Sequence, residues 1–132
     1  MKKIVLILCM LPLLIWIQGC APATYEIEGY TGSSINPDIL VPSNAKFIET
    51  KVYSDHPTLK EGATYELKHI GGEQGLYPPT DYFQKLRDTG WVELEEERLG
   101  HVHFLEKDDT VIAIEIREDN FEIFTMNNDA DI

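Results

Sequence analysis

Residues 101–126, HVHFLEKDDTVIAIEIREDNFEIFTM, contain three largely apolar runs separated by Asp108-Asp109 and by Glu118-Asp119. In the middle run three isoleucines alternate with other residues, at Ile112, Ile114 and Ile116. A period of two is typical of an antiparallel strand that buries one face, and Asp-containing pairs are typical of tight turns. The segment therefore predicts a β-meander with strands over 101–107, 110–117 and 120–126.

One helix is predicted directly before this meander, over residues 80–89, with a short strand at 92–95 between the two. Thr80 is a candidate N-cap, and Gly90 suits the left-handed residue that follows a last helical turn. With Gly90 in that position, Leu86 and Trp91 are the pair that touches in a Schellman ending. We therefore expect Trp91 to clamp the end of the helix rather than to serve as a ligand platform.

Upstream of the helix two half-buried strands are predicted. Over 46–53 a period of two places Ile48, Thr50 and Val52 on one face, and over 64–70 it places Tyr65, Leu67 and His69 on one face. Turns are expected between them, including one at Lys60-Glu61-Gly62. The glycine-rich residues 71–75 are followed by Pro78-Pro79 and lack a lysine, so they predict a connecting loop rather than a phosphate cradle. The expected fold is α+β: two layers, with a mostly antiparallel sheet of about five strands packed against one α-helix, in the order ββα and then the meander.

The N-terminus has the layout of an export signal. Lys2 and Lys3 precede an apolar run of 14 residues, 4–17, which contains Pro12. A helix that crosses a bilayer needs about 20 apolar residues, so this run is short for a membrane anchor.

The next four residues, Ile17-Gln18-Gly19-Cys20, resemble the lipobox of bacterial lipoproteins, although Gln18 is larger than the residue usual at its position. The resemblance implies that a diacylglyceryl group is attached to the sulfur of Cys20 and that the chain is cleaved just before this residue. Two alternatives remain open: ordinary signal cleavage after Ala21-Pro22-Ala23, and an uncleaved helix. If Cys20 is lipidated, the mature chain contains no thiol pair, because the other cysteine, Cys9, lies in the cleaved part.

The expected organisation follows from this N-terminus. Residues 1–19 form a lipoprotein signal peptide, 20–44 the lipidated cysteine with a flexible tether, 45–126 the α+β domain, and 127–132 a disordered tail. The tether is predicted because 21–44 are rich in Pro, Gly and Ser, although the alternation in 25–30 favours a short ordered stub within it. As a flexible coil it would span roughly 25 to 30 Å.

The charge of the protein limits its partners. Loss of Lys2 and Lys3 with the signal peptide takes the formal net charge from −12 to −14. A surface with this much negative charge repels phosphate backbones, and we therefore expect no nucleic-acid partner. The same charge should push the folded part away from anionic lipid. The expected location is extracytoplasmic, lipid-anchored to the cell membrane; in a host with two membranes the outer one is expected, because Ala21 is not an Asp-type retention signal.

Two histidines form the most suggestive chemical pattern. On a strand, His101 and His103 project from one face and could hold a divalent metal, with His69, or else His56, Glu93 or Glu95, as further ligands. The alternatives are solvent-facing strand histidines or a pH-sensing pair. No nucleophile elbow accompanies them and the thiol is committed to lipid, so we expect neither an enzyme nor a cofactor.

The expected function is that of a non-catalytic binding or accessory module of the cell envelope, whose partners are the membrane and another envelope protein. The alternative is a small-ligand or divalent-metal-binding lipoprotein that uses the face of His101 and His103. Residues 79–91 and the following meander are also loosely similar to small envelope lipoproteins of unassigned role. That similarity implies a fold and no activity.

Overall fold

The computed structural model describes residues 23–128, so the predicted signal peptide, Cys20 and residues 129–132 lie outside the described residues. The helix α1 spans Thr80–Asp88, and 3-10 turns occur at Glu73–Gly75 and Glu95–Glu97. The strands are β1 (Tyr30–Gly32), β2 (Leu40–Pro42), β3 (Lys46–Val52), β4 (Leu59–Glu66), β5 (Val92–Glu93), β6 (Val102–Lys107), β7 (Thr110–Ile116) and β8 (Asn120–Met126).

Six of these strands form one antiparallel sheet in the order β3-β4-β8-β7-β6-β5, and β1 and β2 form a separate hairpin. The mostly antiparallel α+β architecture and the meander β6-β7-β8 are therefore confirmed. The expected number of about five strands is wrong, because residues 23–128 contain eight. The sequence prediction missed β1 and β2, which lie in the segment whose composition favours a tether.

The hairpin and α1 pack on the same face of the large sheet. The Tyr82 hydroxyl in α1 donates to the carbonyl of Leu40 at 2.9 Å, and the Trp91 indole Nε1 donates to the carbonyl of Asp38 at 3.1 Å. Ile39 and Val41 are almost completely buried in the same core as the sheet and helix side chains. Burial of an aliphatic side chain contributes about 1.5 to 3 kcal/mol, so this hairpin is an integral part of the domain.

The prediction of a flexible tether is consequently wrong for its described part downstream of Tyr30. Residues 23–29 form no strand, but Tyr25 and Ile27 also pack against the core. The folded domain therefore begins well before residue 45. The predicted tail is wrong at Asn127, whose backbone N–H donates to the carbonyl of Thr58 at 2.8 Å.

The two ends of α1 differ in how well they agree with the sequence prediction. Thr80 is the first helical residue rather than the N-cap; Pro79 holds the cap position, with φ −72°, and no side chain caps the helix there. At the other end the backbone N–H of Trp91 donates to the carbonyl of Leu86 at 3.1 Å, and that of Gly90 to Arg87 at 3.0 Å. These two bonds and φ +101° at Gly90 confirm the Schellman ending.

The two strands upstream of α1 also differ from the prediction. Every residue of β3 is exposed, because β3 is an edge strand whose register shifts between Phe47 and Glu49. β4 runs through the predicted turn at Lys60-Glu61-Gly62, since it pairs with β3 on one side and β8 on the other. The chain reverses between β3 and β4 earlier, at 53–58, where the His56 N–H donates to the Tyr53 carbonyl at 3.2 Å, and turns again after β4 at His69, where φ is +66°.

Candidate functional site

One face of the large sheet points away from α1 and the hairpin, and we call it the open face. Cross-strand partners share a face, so Phe104, Ala113 and Phe124, which are paired in register across β6, β7 and β8, all lie on it. We call these three residues the apolar row. The open face of an antiparallel sheet is usually polar, so phenylalanines at its centre are unexpected.

More apolar side chains surround the apolar row. Val102, Val111 and Met126 have the same strand parity and are half-buried. Opposite Phe124 on β4 is Gly62, where a Cβ would lie 3.1 Å from Cδ1 of the Phe124 ring. Glycine at this position therefore leaves room for the aromatic ring to lie flat along the sheet.

A row of glutamates crosses the same face beside the apolar row. Glu49, Glu115 and Glu122 are in register through Thr64, and we call the three the glutamate row. Glu115 and Glu122 are directly opposite each other on β7 and β8. Like charges in that position destabilise a sheet, because the two carboxylates repel at short range.

Neighbouring groups reduce the repulsion within the glutamate row without removing it. The Arg117 guanidinium donates to Glu115 at 3.1 Å, and the Tyr53 hydroxyl donates to Glu122 at 3.1 Å. Partial burial, followed by the charge of Glu122, raises the pKa of Tyr53, so this hydroxyl stays a donor at neutral pH. Arg117 is largely exposed and its charge is screened by solvent. The open face thus presents the glutamate row beside an apolar row in which Phe104 and Ala113 are buried, at 7 % and 2 % exposure, and Phe124 is half-buried.

The predicted histidine pair does not form a common site. His103 is 2 % exposed, its ring lies 4.6 Å from that of Phe83 in α1, and its Nδ1 is 2.8 Å from Oε1 of Glu93. His101 is exposed and its Nδ1 is 3.0 Å from the carbonyl oxygen of Gly75. The two imidazoles therefore have different partners, one in the core and one in a loop.

The third candidate, His69, is in a turn where its backbone N–H donates to Asp119 at 2.9 Å. Within residues 23–128 no group of three or more His, Cys, Asp or Glu side chains is arranged to hold a metal ion. Glu93, which was considered as a further ligand, does reach His103, but as a hydrogen-bond acceptor. Solvent exposure, the alternative expectation for these histidines, is wrong for His103.

The open face was missed by sequence reasoning, although two signals for it existed. Val102, Phe104 and Leu105 leave little polar alternation in β6, which indicates a strand with apolar side chains on both faces. The predicted turns at Asp108-Asp109 and Glu118-Asp119 also set the register that places Phe104, Ala113 and Phe124 in one row, which the sequence prediction missed.

Comparison with known proteins gives no independent assignment, since no family model, no curated protein and no solved structure matches this chain. Among residues 23–128 no helix combines the length and hydrophobicity needed to cross a membrane.

Proposed function

We propose that this protein is a lipid-anchored, non-catalytic binding module of the cell envelope, exported, lipidated on Cys20, and docked to another envelope protein through its open face. The observation that carries the docking step is the glutamate row, in which Glu115 and Glu122 face each other across β7 and β8 beside the half-buried Phe124. Charge of one sign concentrated on one face is complementary to a partner surface of the opposite charge.

The proposed partner is a protein surface that combines apolar side chains with Lys or Arg. Apolar residues would cover the half-buried Phe124, and basic residues would pair with Glu115 and Glu122, which oppose each other in the unbound protein. A second copy of this chain is a poor match, because it would present its own glutamate row to the first. The net charge of the whole chain, −12, favours the same choice.

The anchoring part of the proposal is tested with Cys20→Ser. The substitution removes the thiol that would carry the lipid, so the protein should lose incorporated fatty acid and move from the membrane fraction to the soluble fraction. Cys9→Ser is the matched control, since its thiol lies in the predicted signal peptide, and it should leave attachment unchanged. Membrane attachment that survives Cys20→Ser would overturn the anchor.

The docking part is tested by a photo-crosslinking amino acid placed in the intact cell at Thr64, on the open face, or at Gln84, on the exposed side of α1. We expect one discrete adduct from Thr64 and none of that size from Gln84. The Thr64 adduct should also weaken when Glu115→Gln and Glu122→Gln are introduced together. An adduct of equal yield from both positions, or one indifferent to the two glutamates, would contradict docking at the open face.

A further inference from the structure

The chain between Cys20 and the folded domain is short. The Tyr25 hydroxyl donates to the carboxylate of Asp81 in the first turn of α1, and Tyr25 packs against the core. The five residue steps from Cys20 to Tyr25 span at most about 18 Å even when fully extended. A lipid on Cys20 would therefore hold the domain against the bilayer, rather than at the end of the tether that composition predicts.

The position of Tyr25 determines which end of the domain is held. Three loops, 67–79, 98–101 and 117–119, meet at one end of the sheet, and we call them the anchor end. They are joined by hydrogen bonds from Gly71 N–H to the Glu118 carbonyl, 3.1 Å, and from His101 Nδ1 to the Gly75 carbonyl, 3.0 Å. The start of the described chain shares an open groove of about 430 Å³ with this end, lined by Ala23, Thr24, Tyr25, His69, Gly72, Glu73 and Tyr77.

The anchor end carries three prominent apolar side chains. Leu76, Tyr77 and Leu99 are 61 %, 66 % and 68 % exposed. Leucine gains free energy from burial in the acyl boundary, and tyrosine suits the interface because its ring is apolar and its hydroxyl is polar. At the opposite end of the sheet Val52 and Val92 are as exposed, which makes them internal controls.

Charge does not distinguish the two ends. The whole connection from β5 to β6 contains the glutamates Glu95–Glu97 as well as Arg98, so the anchor-end loops are net acidic, like those at the opposite end. What distinguishes the anchor end is Tyr25, which keeps Cys20 within about 18 Å of it.

From these observations we infer that the anchor end rests on the bilayer surface, with Leu76, Tyr77 and Leu99 in the interfacial layer. The inference depends on the proposed lipidation of Cys20. The strands then run away from the membrane, and the open face stands upright, where a neighbouring envelope protein can reach it. β7, with seven residues, is roughly 20 Å long and would carry the opposite end that far from the headgroups.

The test uses the full-length lipidated protein in phosphatidylcholine vesicles whose acyl chains carry bromine, a quencher of tryptophan fluorescence. Leu76→Trp places a probe at the anchor end, and Val52→Trp is the matched control at the opposite end. Trp91 is 2 % exposed in the core and supplies a constant background. We expect Leu76→Trp to lose about half of its added emission, since interfacial side chains lie about 5 to 10 Å into the headgroup and acyl boundary, and Val52→Trp to lose none.

Vesicle flotation separates the two proposals. Protein that does not float with the vesicles contradicts lipidation, and the inference fails with it. Protein that floats while Leu76→Trp and Val52→Trp are equally unquenched overturns the orientation and leaves the anchor intact. Leu99→Trp is a second probe at the anchor end, for use if Leu76→Trp fails to fold. Quenching of the Leu99→Trp emission supports the inference, and absence of quenching overturns the inference.

Discussion

His103 is an ionisable side chain held inside the apolar core. Its Nε2 is buried and has no hydrogen-bond partner among the described residues, whereas Nδ1 is 2.8 Å from Glu93. Nδ1 is the ring nitrogen that donates to Glu93, because a carboxylate oxygen accepts. Glu93 therefore fixes the imidazole against Phe83.

The pair should behave as one energetic unit. Glu93→Ala leaves the buried Nδ1–H without an acceptor, so the free energy of unfolding should fall by about 1 to 3 kcal/mol. In the background of His103→Phe, which fills the site without a donor, the same substitution should cost much less. Urea unfolding of the four proteins of this double-mutant cycle measures the difference.

The control for that cycle is Arg87→Ala. Arg87 lies 3.8 Å from the other oxygen of Glu93 and is 42 % exposed, so its loss should cost well under about 1 kcal/mol. Equal costs for Glu93→Ala in both backgrounds would show that the hydrogen bond contributes no coupling.

The two ends of α1 allow a paired prediction at the level of the element. Gly90→Ala places a Cβ on a residue with φ +101° and should lower the free energy of unfolding by about 1 to 2 kcal/mol, because L-residues avoid this region. Thr80→Ala should be nearly neutral, since no side chain caps the N-terminus of the helix. Thermal unfolding of both variants measures the two effects. If Thr80→Ala lowers the free energy of unfolding by about 1 kcal/mol, as removal of an N-cap side chain does, the assignment of Pro79 as the N-cap is wrong.

The elements that the sequence predicts well are those defined by local chemistry. Residues 110–116 carry an isoleucine at every second position from Ile112, and two Asp-containing turns bound the strands of the meander. Gly90 in the left-handed conformation ends α1. The hairpin of β1 and β2 was missed because its Pro, Gly and Ser content is that of a loop. Its burial comes from Ile39 and Val41 contacting α1 and the sheet, which are distant in sequence.

The candidate site was harder to predict for the same reason. The turn at Glu118-Asp119 does place Glu115 opposite Glu122, but Glu49 joins them only through Thr64 on β4, which is distant from both in sequence. The pattern of His101 and His103 is visible in the sequence, but its interpretation depends on how deeply each side chain is buried. A strand places His101 and His103 two residues apart, and only packing against Phe83 shows that the second is in the core.

At the scale of the molecule, we expect the buried Tyr82 and the half-buried Tyr25 to make the folded protein less stable at alkaline pH. Burial raises the pKa of Tyr82, and burial together with Asp81 raises that of Tyr25. A raised tyrosine pKa means that the folded state keeps a proton that the unfolded state loses above about pH 10. The stabilisation is complete below that pH and declines as pH rises through the range between the two values.

We therefore expect the free energy of unfolding to fall above about pH 10, by up to about 1.4 kcal/mol per pH unit for Tyr82 alone. Tyr82→Phe should make this decline shallower, although it also loses the bond to the carbonyl of Leu40 and starts from a lower stability. Denaturant unfolding across the alkaline range measures the slope. An unchanged slope in Tyr82→Phe would show that this hydroxyl does not carry the effect.

The last prediction opposes stability and binding within one variant. Replacing both Glu115 and Glu122 by glutamine removes the like-charge pair on the open face, so the free energy of unfolding should rise by about 0.2 to 1 kcal/mol. The same variant should lose the crosslink from Thr64, because a basic partner has lost the charges that attract it. Destabilisation cannot explain that loss in a protein that has become more stable. If stability rises and the crosslink persists, the repulsion is a structural accident and the partner docks elsewhere.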